Sequence, residues 1–334
     1  MADWVELSAL SASRGSVSWA DFLRAVQLPD DPDHGVDNEN ASGEGLEEEI
    51  TGAGYEHLLG DVADELRYRS DALDEDYPFV FRVRNGKWSI HVREEQEPSR
   101  SSAHLVYKTC LLISAFRHGM LRSPNSENAR QMSDCMQRVA YFVAGEVIGG
   151  DAHWFGWPRP DSTTTMRTAL EALLAKLKHG SVKTEDPDWT NGHEKDAGID
   201  VVAWRSFRDG KPGSLVLYGQ VASGLDWTNK PVTGEFLKAY FNDWFIDEPT
   251  SHYIPATFIP FMQHDNCRPK RGQAYEAAMH GRARKDEITH GLVVDRLRLS
   301  ELAVSAEARR GVLLGADPAI QQWFEASMQL AAAA

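Results

Sequence analysis

Two neighbouring apolar segments, each interrupted by one polar residue, constrain the fold of this chain more than any other feature. They span residues 198–204 and 214–222, and both are rich in the aliphatic and aromatic residues that favour β-strands. Asp209-Gly210 lies between them and is a strong turn signal. An antiparallel hairpin centred on Gly210 places Asp200 opposite Gln220. Because directly opposed side chains lie about 4.5–5.5 Å apart at Cβ, this carboxylate and amide oxygen could hold a divalent cation.

The residues around both segments also carry a family resemblance. Residues 195–202 read Lys-Asp-Ala-Gly-Ile-Asp-Val-Val, and the second segment ends in Gln-Val-Ala. This arrangement resembles the core of the PD-(D/E)XK nuclease superfamily, in particular its Mrr-type restriction endonucleases. There a Gly-x-Asp strand supplies the metal-binding aspartate, and the next strand ends in Gln-x-Lys or Glu-x-Lys. The resemblance implies that Asp200 and the backbone carbonyl of Val221 bind Mg²⁺ or Mn²⁺, and that Gln220 is a catalytic residue.

One position departs from the family pattern. Ala222 stands where the family has its lysine, whose role is to orient the attacking water and to offset negative charge in the transition state. Lys195 and Lys230 are the candidates to replace it, and we assign the catalytic role to Lys230. Asp196 is interpreted as a loop residue rather than a second metal ligand.

The helix carboxylate that completes the family's site stays open between two residues. Asp134 lies on a predicted helix over residues 126–148, and Glu171 lies on one over residues 162–179.

Charge is distributed unevenly along the chain. The net charge is −15, and residues 1–100 hold 23 acidic and 9 basic side chains, whereas residues 101–334 hold 27 and 26. The acidic part is therefore a candidate docking surface for a protein partner. Within the nearly neutral part, a basic cluster is expected to bind nucleic-acid phosphates, the alternative being a solvated helix face. Its members are Arg268, Lys270, Arg271, Arg282, Arg284 and Lys285.

Composition limits the cellular setting. No apolar run approaches the roughly 18–20 residues that a membrane helix needs, and the first residues lack a secretory-signal pattern. The three cysteines (Cys110, Cys135 and Cys267) are few, odd in number and far apart, which indicates reduced thiols. We therefore expect a cytoplasmic protein without a membrane partner.

The order of predicted elements gives an α/β (α+β) fold with a restriction-endonuclease-like mixed central sheet flanked by helices. Residues 1–100 form an acidic region with helices and a β-hairpin, 79–84 and 87–92, around Asn85-Gly86. Residues 101–299 form the core, and residues 300–334 form C-terminal helices. Within the core we predict an aromatic-rich helix over 233–245, a strand over 254–261 placed near a sheet edge by its two prolines, and a strand over 291–297.

The function expected from the resemblance is metal-dependent hydrolysis of nucleic acid, with DNA favoured, as in restriction or defence nucleases. The alternative is a nuclease fold that has lost catalysis and serves as a binding or scaffold subunit. A third possibility is an interaction subunit of a bacterial antiviral complex.

Overall fold

A computed structural model describes residues 1–27, 52–94, 101–122, 125–188, 190, 196, 198–209, 211, 214–233, 243–250, 252–265, 267 and 274–333. The chain divides into two compact units, Met1–Glu94 and Glu95–Ala334. None of the described helices combines the length and the apolar character needed to cross a membrane. All three cysteines are free thiols, and Cys110 and Cys135 are buried.

The first unit packs helices against a three-stranded sheet. Its elements are α1 (Ala2–Ser11), β1 (Ser16–Ser18), α2 (Trp19–Gln27), α3 (Gly52–Leu73), β2 (Phe79–Arg84) and β3 (Lys87–Val92). The strands run antiparallel in the order β1-β3-β2. The predicted hairpin over 79–92 is confirmed, and both turn residues, Asn85 and Gly86, have positive φ, at 51° and 74°. That combination is the one a two-residue hairpin turn requires.

Part of the acidic charge of this unit lies inside it. The guanidinium of Arg69 is buried and pairs with the carboxylates of Asp3, Glu6 and Glu65 at 2.7–2.8 Å. These acids neutralise a buried cation and hold α1 against α3. They are therefore not part of any acidic docking surface.

The second unit is built on a mixed five-stranded sheet with helices on both faces. Its elements are α4 (Ser101–Arg117), α5 (Ser126–Ile148), β4 (Asp151–Trp154), α6 (Met166–Leu177), β5 (Ser181–Val182), β6 (Val201–Arg205), β7 (Leu215–Val221), β8 (Phe245–Asp247), β9 (Tyr253–Phe258), α7 (Tyr275–His290), β10 (Leu292–Val294), α8 (Arg296–Arg310) and α9 (Pro318–Ala333). The large sheet has the order β10-β9-β7-β6-β4, and β5 pairs separately with β8.

The core of this unit follows from side-chain alternation in the central strands. One face of β6 and β7 packs against the apolar side of α6, through Val202, Trp204, Val216 and Tyr218. The residues between them in sequence, such as Ala203 and Leu217, are also buried. Helix α5 packs against β4, β6 and β7. Both faces of the central strands are therefore covered, which explains why these strands read as nearly continuous apolar runs.

The register predicted for the central hairpin is confirmed from Val201 to Arg205. Strands β6 and β7 are antiparallel, with Val201 opposite Gly219 and Val202 opposite Tyr218. The pairing ends at Val201 and Gly219, so the predicted pair of Asp200 with Gln220 is not part of it. Gly210 itself lies outside the described residues.

The prediction of an edge strand at 254–261 is wrong, because β9 lies inside the sheet between β7 and β10. Pro255 is tolerated there since the pairing with β10 begins only at Ala256. On that side Pro255 has no strand partner, so its missing N–H costs the sheet no hydrogen bond.

One predicted strand is shorter in the structure, and one predicted helix lies mostly outside the described residues. The strand predicted over 291–297 spans only Leu292–Val294, because Asp295 caps α8 by accepting from the Arg298 N–H. Most of the helix predicted over 233–245 lies outside the described residues, and Phe245 belongs to β8. Helix α8 begins before residue 300 and packs against α4 and α5, so the C-terminal helices belong to the second unit rather than to a segment of their own.

Candidate functional site

Asp200 occupies the junction at which β6 begins, and its backbone is held from both sides. Its N–H donates to the Gly219 carbonyl at 2.9 Å, and its own carbonyl accepts from the Phe155 and Gly156 N–H groups at 2.8 and 2.7 Å. The Asp200 N–H therefore binds Gly219 rather than Gln220, and the regular pairing of β6 with β7 does not extend to Asp200. Asp200 is therefore fixed between the segment after β4 and the end of β7.

The carboxylate of Asp200 accepts hydrogen bonds from two neutral groups. Its Oδ2 accepts from the Val221 N–H at 2.7 Å, and its Oδ1 accepts from Gln137 Nε2 on α5 at 3.1 Å. Because an ionised carboxylate only accepts hydrogen bonds, the Gln137 amide must direct its nitrogen towards Asp200. No described cation forms a direct ion pair with this carboxylate.

Burial raises the pKa of the Asp200 carboxyl to about 7. Asp200 is half-buried, and the atoms packed around its carboxyl group disfavour the ionised form. The Val221 N–H and the positive charge of Lys230 lower this pKa, whereas the negative charge of Asp196 raises it. A bound cation would stabilise the ionised form of this carboxyl group and so lower its pKa.

Two buried amide oxygens, the Oε1 atoms of Gln137 and Gln220, have no hydrogen-bond partner among the described residues. Gln137 is the residue that holds Asp200, and Gln220 directly precedes Val221, whose N–H binds the same carboxylate. Buried polar atoms are nearly always hydrogen-bonded, so such orphans call for an explanation such as a missing ion or water.

These oxygens fit a hard divalent cation by type and less well by charge. Mg²⁺ prefers oxygen ligands, and the Asp200 carboxylate and the unpartnered amide oxygens of Gln137 and Gln220 are of that type, although Gln137 directs its nitrogen towards Asp200. Asp200 supplies the one negative charge among them. Over the residues that the structure describes, no group of three or more His, Cys, Asp or Glu side chains is arranged to hold a metal ion.

Neither predicted helix carboxylate contacts Asp200. Asp134 pairs with Arg138 Nε at 2.8 Å, and Arg138 also binds Asp317. Glu171 lies on the exposed side of α6. Instead, α5 places Gln137 against Asp200. The resemblance predicts an acidic residue on this helix, so Gln137 was not among the predicted site residues. Gln137 lies three residues after Asp134, and this spacing indicates that both residues share one face of the helix. That spacing was the sequence feature that could have predicted Gln137.

The structure also explains why position 222 lacks a lysine. The Ala222 side chain is fully buried in an apolar cluster with Trp227, Ile259, Phe261 and Val293. Lys230 follows a short 3₁₀ turn, and its Nζ lies 3.8 Å from Asp226 Oδ1. Its charge nevertheless reaches Asp200, whose pKa it lowers. Lys195 lies outside the described residues.

Asp196 lies beside the site as a loop-fixing residue. Its Oδ1 accepts from the Gly198 N–H and its Oδ2 from the Trp157 N–H, both at 3.0 Å. It thereby joins the segment after β4 to the approach of β6. Its charge acts on Asp200 through space.

Only half of the predicted basic cluster is described. Arg268, Lys270 and Arg271 lie outside the described residues. On α7, Arg282 Nε pairs with Asp286 Oδ2 at 2.8 Å, so much of its charge is compensated. Arg284 and Lys285 are exposed and stay candidates for phosphate contact.

Comparisons of the chain with protein-family models, curated proteins and solved structures found no match.

Proposed function

We propose that this chain is a metal-dependent phosphodiesterase that acts on nucleic acid, with DNA as the favoured substrate. The observation that carries the proposal is the environment of Asp200. This carboxylate, whose pKa burial raises, is bound only by neutral donors among the described residues, and Gln137, which binds it, has a buried amide oxygen without a partner. The order α5, β4, β6, β7 and β9 also agrees with the restriction-endonuclease-like core that the sequence resemblance implies.

Each residue of the site has a distinct role in this proposal. Asp200 is the anionic ligand of Mg²⁺ or Mn²⁺, and Gln220, Gln137 and the Val221 carbonyl supply neutral oxygens. When bound, such an ion polarises the scissile phosphate and acidifies a water molecule. Lys230 places a positive charge near the carboxylate, where it can orient the attacking water and offset the charge that develops on phosphate oxygens.

The test is cleavage of labelled single- and double-stranded DNA and RNA by the full chain, with Mg²⁺ or Mn²⁺ and with a chelator. Wild-type protein should cleave only with metal. Asp200→Asn and Lys230→Ala should each lose on the order of 100-fold or more in rate, because each removes several kcal/mol of transition-state stabilisation. Asp209→Asn and Lys211→Ala are matched controls in the exposed turn of the same hairpin and should keep full activity. Metal-dependent cleavage by Asp200→Asn at the wild-type rate would show that the site lies elsewhere.

The second candidate is a nuclease fold without catalysis that serves as a binding or scaffold subunit. The apolar burial of Ala222 favours it, since the family's lysine position faces away from any substrate. Nucleic-acid binding without cleavage, across all substrates and both metals, would support this candidate. If the chain serves in a bacterial antiviral complex, residues 1–100 are the expected attachment region, and their deletion should release the partner.

A further inference from the structure

A second unusual group in this unit is Arg117, the last residue of α4. Its Nη2 lies 3.5 Å from Ser133 Oγ and 3.4 Å from Ser223 Oγ, and the two hydroxyl groups are 3.4 Å apart. Its Nε is buried and has no hydrogen-bond partner among the described residues. These long contacts at the outer limit of hydrogen bonding leave most of its five donors unused.

Unlike Arg69 and Arg138, Arg117 has no carboxylate partner among the described residues. Arg69 has three carboxylate partners and Arg138 has two. No described acid lies within ion-pair distance of Arg117. A half-buried cation without a counter-ion is costly. It therefore favours binding of an anion from outside.

The position of Arg117 connects it to the candidate site. Ser133 and Gln137 lie one turn apart on the same face of α5, and Gln137 holds Asp200. Ser223 follows two residues after Val221, whose N–H also binds Asp200. Ser133 therefore lies about one helical turn, ~5.4 Å of rise, from Gln137, and Ser223 lies two residues from Val221, so Ser133 lies in α5 and Ser223 just after β7, elements that also form the Asp200 site.

We propose that Arg117, Ser133 and Ser223 form a phosphate-binding subsite for a nucleic-acid strand whose neighbouring phosphate lies at Asp200. The guanidinium fork matches two phosphate oxygens, and the hydroxyl groups can donate to a third. This inference rests on the proposed function for the choice of a polynucleotide as the ligand. The chemistry of the subsite, a cation with two hydroxyls, requires only a phosphate.

The experiment measures binding of a fluorescent single-stranded oligonucleotide to the full chain in a chelator, so that cleavage plays no part. Arg117→Gln should weaken binding on the order of tenfold and reduce the salt slope by about one. Arg130→Gln is the matched control, because Arg130 is an exposed arginine paired with Glu127 on α5, and it should bind as the wild type does. Asp200→Asn should bind at least as tightly as the wild type, since it removes a negative charge.

Ser223→Asp separates binding from folding. The new carboxylate supplies the missing counter-ion, so this variant should raise the melting temperature while weakening oligonucleotide binding. This outcome would support the proposal even if Arg117→Gln does not fold.

Equal binding by wild type, Arg117→Gln and Ser223→Asp would overturn the proposal, as would a wild-type chain that binds no oligonucleotide. Binding of inorganic phosphate is measured in parallel, to test whether a small phosphate ligand is sufficient. If it binds as tightly as the oligonucleotide, the polynucleotide assignment is overturned. Arg117-dependent binding by a chain that never cleaves would keep this subsite and reject the proposed catalysis.

Discussion

The backbone at Gly156 lies directly against the carboxylate of Asp200. A Cβ atom at position 156 would lie 2.6 Å from Asp200 Oδ1 and 3.0 Å from its Cα. The N–H of the same glycine donates to the Asp200 carbonyl. The short segment after β4 therefore closes one side of the candidate site, and only a residue without a side chain fits there.

Gly156→Ala should displace the Asp200 side chain. Because a Cβ at position 156 would clash with the Asp200 carboxylate and Cα, and hydrogen bonds fix the Asp200 backbone, we expect a loss of about 1–3 kcal/mol in the free energy of unfolding, with loss of metal-dependent activity. Urea denaturation gives the first quantity and the cleavage assay the second. Gly281→Ala is the control, since a Cβ there meets nothing within 4 Å in helix α7. It should stabilise the protein by about 0.5–1 kcal/mol.

Asp200 should make the protein less stable as the pH rises. Its pKa is raised to about 7 in the folded state, so between pH ~4 and ~7 the folded chain retains a proton that the unfolded chain has lost. Stability therefore falls across this interval and stays lower above it. In metal-free urea titrations, Asp200→Asn should gain on the order of 1–4 kcal/mol relative to the wild type between pH 4 and pH 8. Added Mg²⁺ should stabilise the wild type, and not the variant, at pH 8. A constant difference between the two proteins at every pH would contradict this.

Gln137→Glu should convert a neutral ligand into a charged one. Two carboxylates at one site raise each other's pKa when no cation is bound, so the pKa of Asp200 should rise further. With a cation present, the added charge should tighten Mg²⁺ binding on the order of tenfold. Calorimetric Mg²⁺ titration at pH 8 measures the affinity. The double variant with Asp200→Asn restores a single charge and should bind more weakly than Gln137→Glu alone. Unchanged Mg²⁺ affinity in Gln137→Glu would show that Gln137 does not face the ion.

His153 should make the protein sensitive to mild acid. Burial lowers its pKa to about 4, and the charge of Lys176, whose Nζ lies 2.7 Å from His153 Nδ1, contributes. Between pH ~6.5 and ~4 the unfolded chain binds a proton that the folded chain does not, so stability is lost as the pH falls through this interval.

His153→Asn keeps an acceptor for Lys176 and cannot be charged by acid. Relative to the wild type it should gain on the order of 1–3 kcal/mol between pH 7 and pH 4, as measured by urea midpoints at each pH. The same substitution at the exposed His252 should produce no comparable gain. If both variants respond alike to acid, the buried imidazole is not the cause.

The local features of the fold could be predicted from the sequence. The hairpin from Phe79 to Val92 follows from alternation and an Asn-Gly turn, and helix α5 follows from its Asn125 cap and its Gly149 end, which lies in the left-handed region. The register that pairs Val201 with Gly219 follows from two apolar runs around Asp209-Gly210. These features were predictable because residues close in sequence determine them.

Contacts between distant elements were decided only by the tertiary structure. The local sequence does not predict that α5 places Gln137, rather than Asp134, against Asp200. It also does not predict that Ala222 faces an apolar cluster, or that Gly156 leaves room for the Asp200 carboxylate. Helix packing angles and strand order determine which side chains meet, and these depend on the whole core at once. The sequence by itself determined the strand that follows Asp200 and the strand that contains Gln220. Tertiary packing determined what surrounds them, because the enclosure that raises the pKa of Asp200 comes from elements far apart along the chain.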